Sequence, residues 1–69
     1  PDAAEVARMA GEMAAAVGQH RRASDAWALA AAQYHALGRK ESAAEMRRKR
    51  EAALAVADDD EVIFEGTLE

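Results

Sequence analysis

Residues 16–43, AVGQHRRASDAWALAAAQYHALGRKESA, decide how this chain folds. Between Gly18 and Gly38 runs a segment free of Gly and Pro in which Ala23, Trp27, Ala30, Tyr34 and Leu37 recur at intervals of three and four residues. That spacing places them on one stripe of an α-helix. Leu29 and Ala36 fall off the stripe and mark a second face of the same helix. Glycine enters left-handed backbone at no steric cost, so Gly18 and Gly38 are the expected breaks between helices.

Upstream, Val6, Met9, Met13 and Val17 repeat the spacing with Ala10 and Ala16 beside them, which predicts a first helix that buries this stripe. Asp2 and Glu5 have the D-x-x-E spacing of an N-terminal cap. Downstream, Ser42 and Glu45 have the S-x-x-E spacing of a capping box, and Ala43, Met46, Ala53 or Leu54, and Ala57 offer the third helix a core face. Arg50 interrupts that face and is expected to run its stem past it into water. Helices over about 2–17, 20–37 and 41–57, joined by short links, must run antiparallel. The expected fold is therefore all-α, a three-helix up-down-up array over residues 1–57.

Residues 58–69 differ in kind. Asp58, Asp59, Asp60 and Glu61 bring negative charge to the expected negative end of the third helix, which predicts a stop near Ala57. An acidic, extended tail follows, in which Val62, Ile63 and Phe64 ahead of Gly66 favour a strand-like docking segment. A short helix capped by Asp58 is the competing local reading.

Composition makes the core thin. Of 69 residues 51% are hydrophobic, yet 20 of these are alanine and only 15 are larger. A domain of this size buries only about 60% of its unfolded surface. With no cysteine there is no disulfide, thiolate nucleophile or cysteine-held zinc to add stability. Close alanine packing or a partner must supply the rest, and a homo-oligomer burying the face marked by Leu29 and Ala36 is the expected solution. No apolar run approaches the roughly 20 residues of a membrane span, and the start lacks the features of a signal peptide, so a cytoplasmic protein is expected. Pro1 suits a natural start after loss of an initiator Met and equally a trimmed chain.

Chemistry-bearing patterns are sparse. His20 and His35 lack a second histidine three or four residues away, and the Asp run lacks the alternation and glycine of a calcium loop, so no metal is expected. Ser24 and Ser42 read as helix-start caps, without the surroundings of a serine nucleophile. No glycine-rich phosphate loop is present, and neither catalysis nor a cofactor is expected. The net charge of -4 hides an uneven distribution: residues 1–18 sum to -2, residues 19–50 to +5 and residues 51–69 to -7. Arg47, Arg48, Lys49 and Arg50 occupy successive helix positions and fan around the axis. With Arg21, Arg22, Arg39 and Lys40 they define an alternative function, a nucleic-acid or polyanion surface masked by the acidic tail.

Trp27, Tyr34 seven residues later, Gly38 and Ala43 together resemble the tetratricopeptide-repeat pattern, in which a bulky pair marks the first helix, glycine the turn and alanine a close contact. The resemblance spans residues 27–57, one unit. It departs from the family at Ala30 and Ala31, where Leu-Gly is usual, at Arg47 in an aromatic position, at Arg50 for a small residue, and at Ala55 near the closing proline. It implies a helical hairpin used for protein binding. Apart from that resemblance, Trp27 and Tyr34 on one helix face read first as core packing and second as an aromatic hot spot for a partner helix; with Leu29 and Ala36 of the second face and Val62, Ile63 and Phe64 of the tail they are the candidate partner-binding residues, and a small self-associating adaptor is the expected function. An echo at an offset of 20 residues, Ala16-Val17-Gly18 against Ala36-Leu37-Gly38, reads as one turn used twice.

Overall fold

Three helices follow one another in the computed structural model: α1 (Ala3–Ala16), α2 (His20–Ala36) and α3 (Lys40–Leu68). The structure describes residues 2–68, with side chains described for residues 2–57. Three-residue turns reverse the chain after α1 and α2, giving the up-down-up array, and α2 lies between its neighbours and makes nearly all the interhelix contact.

The two turns share one hydrogen-bond pattern. Gly18 (φ 81°) donates its N–H to the Ala15 carbonyl at 3.0 Å while Gln19 N–H reaches Ala14 at 2.9 Å. Gly38 (φ 79°) donates to His35 at 3.0 Å while Arg39 N–H reaches Tyr34 at 2.9 Å. This double closure at a left-handed glycine satisfies carbonyls that a helix end leaves bare, and it accounts for the 20-residue echo. A Cβ at either glycine would meet nothing within 4 Å, so only backbone conformation is at stake. Gly38→Ala is expected to lower stability by about 1–2 kcal/mol, and D-alanine at the same position to raise the melting temperature. Equal effects of the two enantiomers would contradict the left-handed turn.

At the start of α1, Asp2 Oδ1 accepts the Glu5 N–H at 2.8 Å, as the D-x-x-E spacing predicts. The other two capping expectations fail. Ser42 is the third residue of α3, because the helix restarts immediately after the turn at Gly38. Ser24 lies inside α2, buried, and its hydroxyl donates to the Arg21 carbonyl at 2.8 Å.

The largest correction concerns α1. Its buried residues are Ala4, Ala7, Gly11 and Ala14, whereas Val6, Met9, Met13 and Val17 are 54%, 50%, 70% and 70% exposed. Gly11 supplies the reason. A Cβ there would come within 2.5 Å of Trp27 Nε1, so the indole lies against bare α1 backbone. Only a face of small residues admits so close an approach, and α1 turns that face inward although its bulkier stripe is more hydrophobic. At 100° per residue the two stripes are centred roughly 120° apart.

In α2 and α3 the buried sets agree better with the periodicity. Ala23, Trp27, Ala30 and Tyr34 are buried, joined by Ser24 and Ala31, while Leu37 sits past the end of α2 and is 54% exposed. Ala43, Met46, Ala53 and Ala57 form the buried face of α3, and Arg50, in line with them, remains exposed. α3 spans Lys40–Leu68, and the acidic docking tail expected at residues 58–69 falls where the side chains lie outside the described residues. The docking roles expected of Val62, Ile63 and Phe64 concern side chains outside the described residues.

Candidate interaction surfaces

Trp27 and Tyr34 belong to the core and not to a surface. Trp27 is 7% and Tyr34 3% exposed, which agrees with the core reading of the pair and not with the hot-spot reading: a chain with so few large side chains commits both rings to its own packing. The indole lies between helices, with its face toward Lys49 Nζ at 5.6 Å from the ring centroid, a cation–π distance. Its Nε1 is buried without a hydrogen-bond partner. Tyr34 reaches the rim, where its hydroxyl donates to Glu5 Oε2 at 3.2 Å.

Glu5 is the centre of a small network. Arg8 contacts Glu5 and Glu12, each at 2.8 Å, along the flank of α1. The hydrogen bond from Arg8, then that from Tyr34, lowers the Glu5 carboxyl below the usual glutamate range, and Glu5 in turn raises Arg8. The unfolded chain therefore binds more protons than the folded one in acid. The contribution is complete above the usual glutamate value of about 4.5 and is lost as pH falls through the lower folded value. Urea melts between about pH 3 and 6 are expected to show stability falling toward acid, with a shallower fall for Glu5→Gln. Parallel curves would contradict the network.

Among the described residues, the outer side of α1 carries four of the seven exposed large hydrophobic side chains. Val6, Met9, Met13 and Val17 recur along it, with Ala10 exposed beside them. The spacing reads first as a core stripe, with an interaction surface at Met9 and Met13 as its second reading, and the exposure favours the second. Leu29 and Ala36 are exposed as expected, Leu29 at 55%, but the turns around them carry Arg22, Asp25 and Gln33. They make no continuous apolar ridge.

The eight cations do not form one surface. Arg21 and Arg22 stand in the first turn of α2, while Arg39 and Lys40 stand past its last, separated by 17 residues or about 25 Å of helix. Arg39 Nη1 lies 3.9 Å from Asp2 Oδ2. Of the four consecutive cations, Arg47 and Arg50 share a groove between α2 and α3 with His35, over a floor of Ala28, Ala31 and Ala32, with a volume of about 410 Å³. Arg48 is exposed elsewhere on the helix and Lys49 covers Trp27. The expectation of an even fan is thus half right: the i, i+3 pair meets in one groove, and the other two diverge. The masking expected of the acidic segment 58–61 concerns side chains outside the described residues.

Among the described residues no group of three or more His, Asp or Glu side chains could hold a metal, and no helix is long and apolar enough to cross a membrane. No family model matches the chain, and neither a curated protein nor a solved structure is detectably similar to it.

Proposed function

We propose that this chain is a non-catalytic protein-interaction module, a small self-associating helical adaptor. The observation that carries the reading is the outer face of α1, where Val6, Met9, Met13 and Val17 are each at least half exposed on a helix that packs through small residues. A chain with 15 large apolar residues that leaves four of them on one exposed stripe has placed them where a partner helix can cover them. Two of the four are methionines, whose unbranched side chains adapt to varied partner surfaces.

The tetratricopeptide-like hairpin belongs to the same proposal. Trp27 and Tyr34 point inward, Gly38 makes the turn and Ala43 is fully buried, which supports the resemblance at the four positions that carry it. The polyanion alternative has less support, because only Arg47, Arg50 and His35 share a groove. Under the adaptor reading, duplex binding at physiological salt is absent. Binding that Arg47→Gln/Arg48→Gln/Arg50→Gln abolishes would favour the alternative.

A photo-crosslinking residue tests the docking face. Benzoylphenylalanine in place of Met13 is expected to give a discrete protein adduct in cells, while the same residue in place of Leu29 gives none. Adducts from Leu29 alone would move the interface to α2, and no adduct at Met13 would remove the observation's functional meaning.

A further inference from the structure

The groove between α2 and α3 holds two cations that no acid of the described residues answers. Arg47 and Arg50 reach it from α3, and Ala28, Ala31, Ala32 and His35 line it from α2. Positions 28, 31, 32 and 35 share one side of α2 over two turns, about 10 Å. The three alanines offer nothing larger than a methyl group, so a visiting backbone can come close. Arg47 and Arg50 are both exposed, and neither enters an ion pair among the described residues, although Glu51 follows Arg47 at the i, i+4 spacing of helix ion pairs. Two guanidiniums held three residues apart, about 4.5 Å in rise, with no carboxylate between them are a recognition element left open.

We propose that this groove binds an acidic helix of another protein, one that carries two carboxylate side chains three or four residues apart. Such carboxylates stand one turn apart on their own helix, so each can meet one guanidinium in the two-bond fork that arginine makes with a carboxylate. Beside them the visiting helix presents small apolar residues to Ala28, Ala31 and Ala32, and His35 adds a ring N–H donor. A small anion is a poorer occupant. Small ligands bind by being mostly enclosed, whereas Ala32, His35, Arg47 and Arg50 are all exposed, so the occupant has to bring the covering surface itself. A nucleic acid is poorer too, because its phosphates reward a long track of cations, and Arg48 and Lys49 do not line the groove. The site shares no residue with the outer face of α1 and stands or falls separately from it.

A displayed library of amphipathic helical peptides of about 16 residues, long enough to hold a helix, tests this on the full chain. Selection against the native chain is expected to enrich peptides with pairs of Asp or Glu three or four residues apart. Arg47→Gln/Arg50→Gln is expected to bind them at least about 10-fold more weakly. Arg48→Gln, which removes charge outside the groove, is expected to bind them as the native chain does. All three side chains are exposed, and helical circular dichroism checks that each variant keeps its fold. Charge exchange supplies a second arm: Arg47→Glu/Arg50→Glu is expected to lose a selected peptide and to regain it when the peptide's two acids are replaced by lysine. No enrichment of acidic pairs, or equal weakening by Arg48→Gln and Arg47→Gln/Arg50→Gln, overturns the proposal. Binding of a DNA duplex at physiological salt that Arg47→Gln/Arg50→Gln abolishes, with no acidic peptide enriched, overturns it in favour of a polyanion. Peptides that fail on Met9→Asp/Met13→Asp but hold on Arg47→Gln/Arg50→Gln lie on α1, which overturns the groove and leaves the α1 face standing.

Discussion

Gly11→Ala is expected to destabilise this chain severely, even though alanine is the better helix former by about 1 kcal/mol. The new Cβ would stand 2.5 Å from Trp27 Nε1, 2.6 Å from Cδ1 and 2.9 Å from Cε2, well inside contact distance. The indole has little room to yield, because it is 7% exposed, with α1 on one side and Lys49 over its ring. Relief requires α1 to move away from α2, opening the packing of Ala4, Ala7 and Ala14. Overpacking of a core costs about 1–3 kcal/mol or more, and a single core of this size supplies only about 3–5 kcal/mol in total. A double-mutant cycle isolates the cause. In a Trp27→Leu background the obstruction is gone, and Gly11→Ala is expected to be neutral or stabilising through its helix propensity. Urea or thermal unfolding of the four proteins reads the sign change. An increase in stability from Gly11→Ala with Trp27 present would contradict the close approach of the two helices.

Met9→Asp/Met13→Asp is expected to leave the fold intact and abolish docking at α1. Both side chains are at least half exposed, so the loss of helix propensity, about 0.5 kcal/mol each, is the main structural cost. Covered by a partner, two methionines contribute about 3–6 kcal/mol. Their replacement by charge is therefore expected to weaken docking by at least about 100-fold. The readout is loss of the adduct from a crosslinker placed at Val17, with helical content retained. The same double substitution also decides the fold. Were Met9 and Met13 the core stripe that simple periodicity predicts, two buried carboxylates would unfold the chain.

That contrast shows what in the sequence was legible. α2 could be read directly, because Trp27 and Tyr34 are the only large aromatics on a segment otherwise rich in alanine and must lie at its centre of packing. α1 could not be read in the same way. Hydrophobic periodicity ranks faces by bulk, whereas this interface is chosen by closeness, and Ala4, Ala7, Gly11 and Ala14 carry almost no hydrophobic signal. A signal was nonetheless present: a glycine in mid-helix, in line with three alanines, marks backbone that something large approaches. In α3 the buried residues Ala43, Met46, Ala53 and Ala57 are those the spacing picks out, so its core face was legible. The surfaces were less legible than the fold, since exposure depends on which of two candidate stripes is spent on the core.

The most direct test is the mass of the native chain by light scattering across a wide range of concentration. A self-associating module is expected to show twice the 7.4 kDa of the chain at high concentration, falling toward a single copy on dilution. A mass of one chain at every concentration would contradict it.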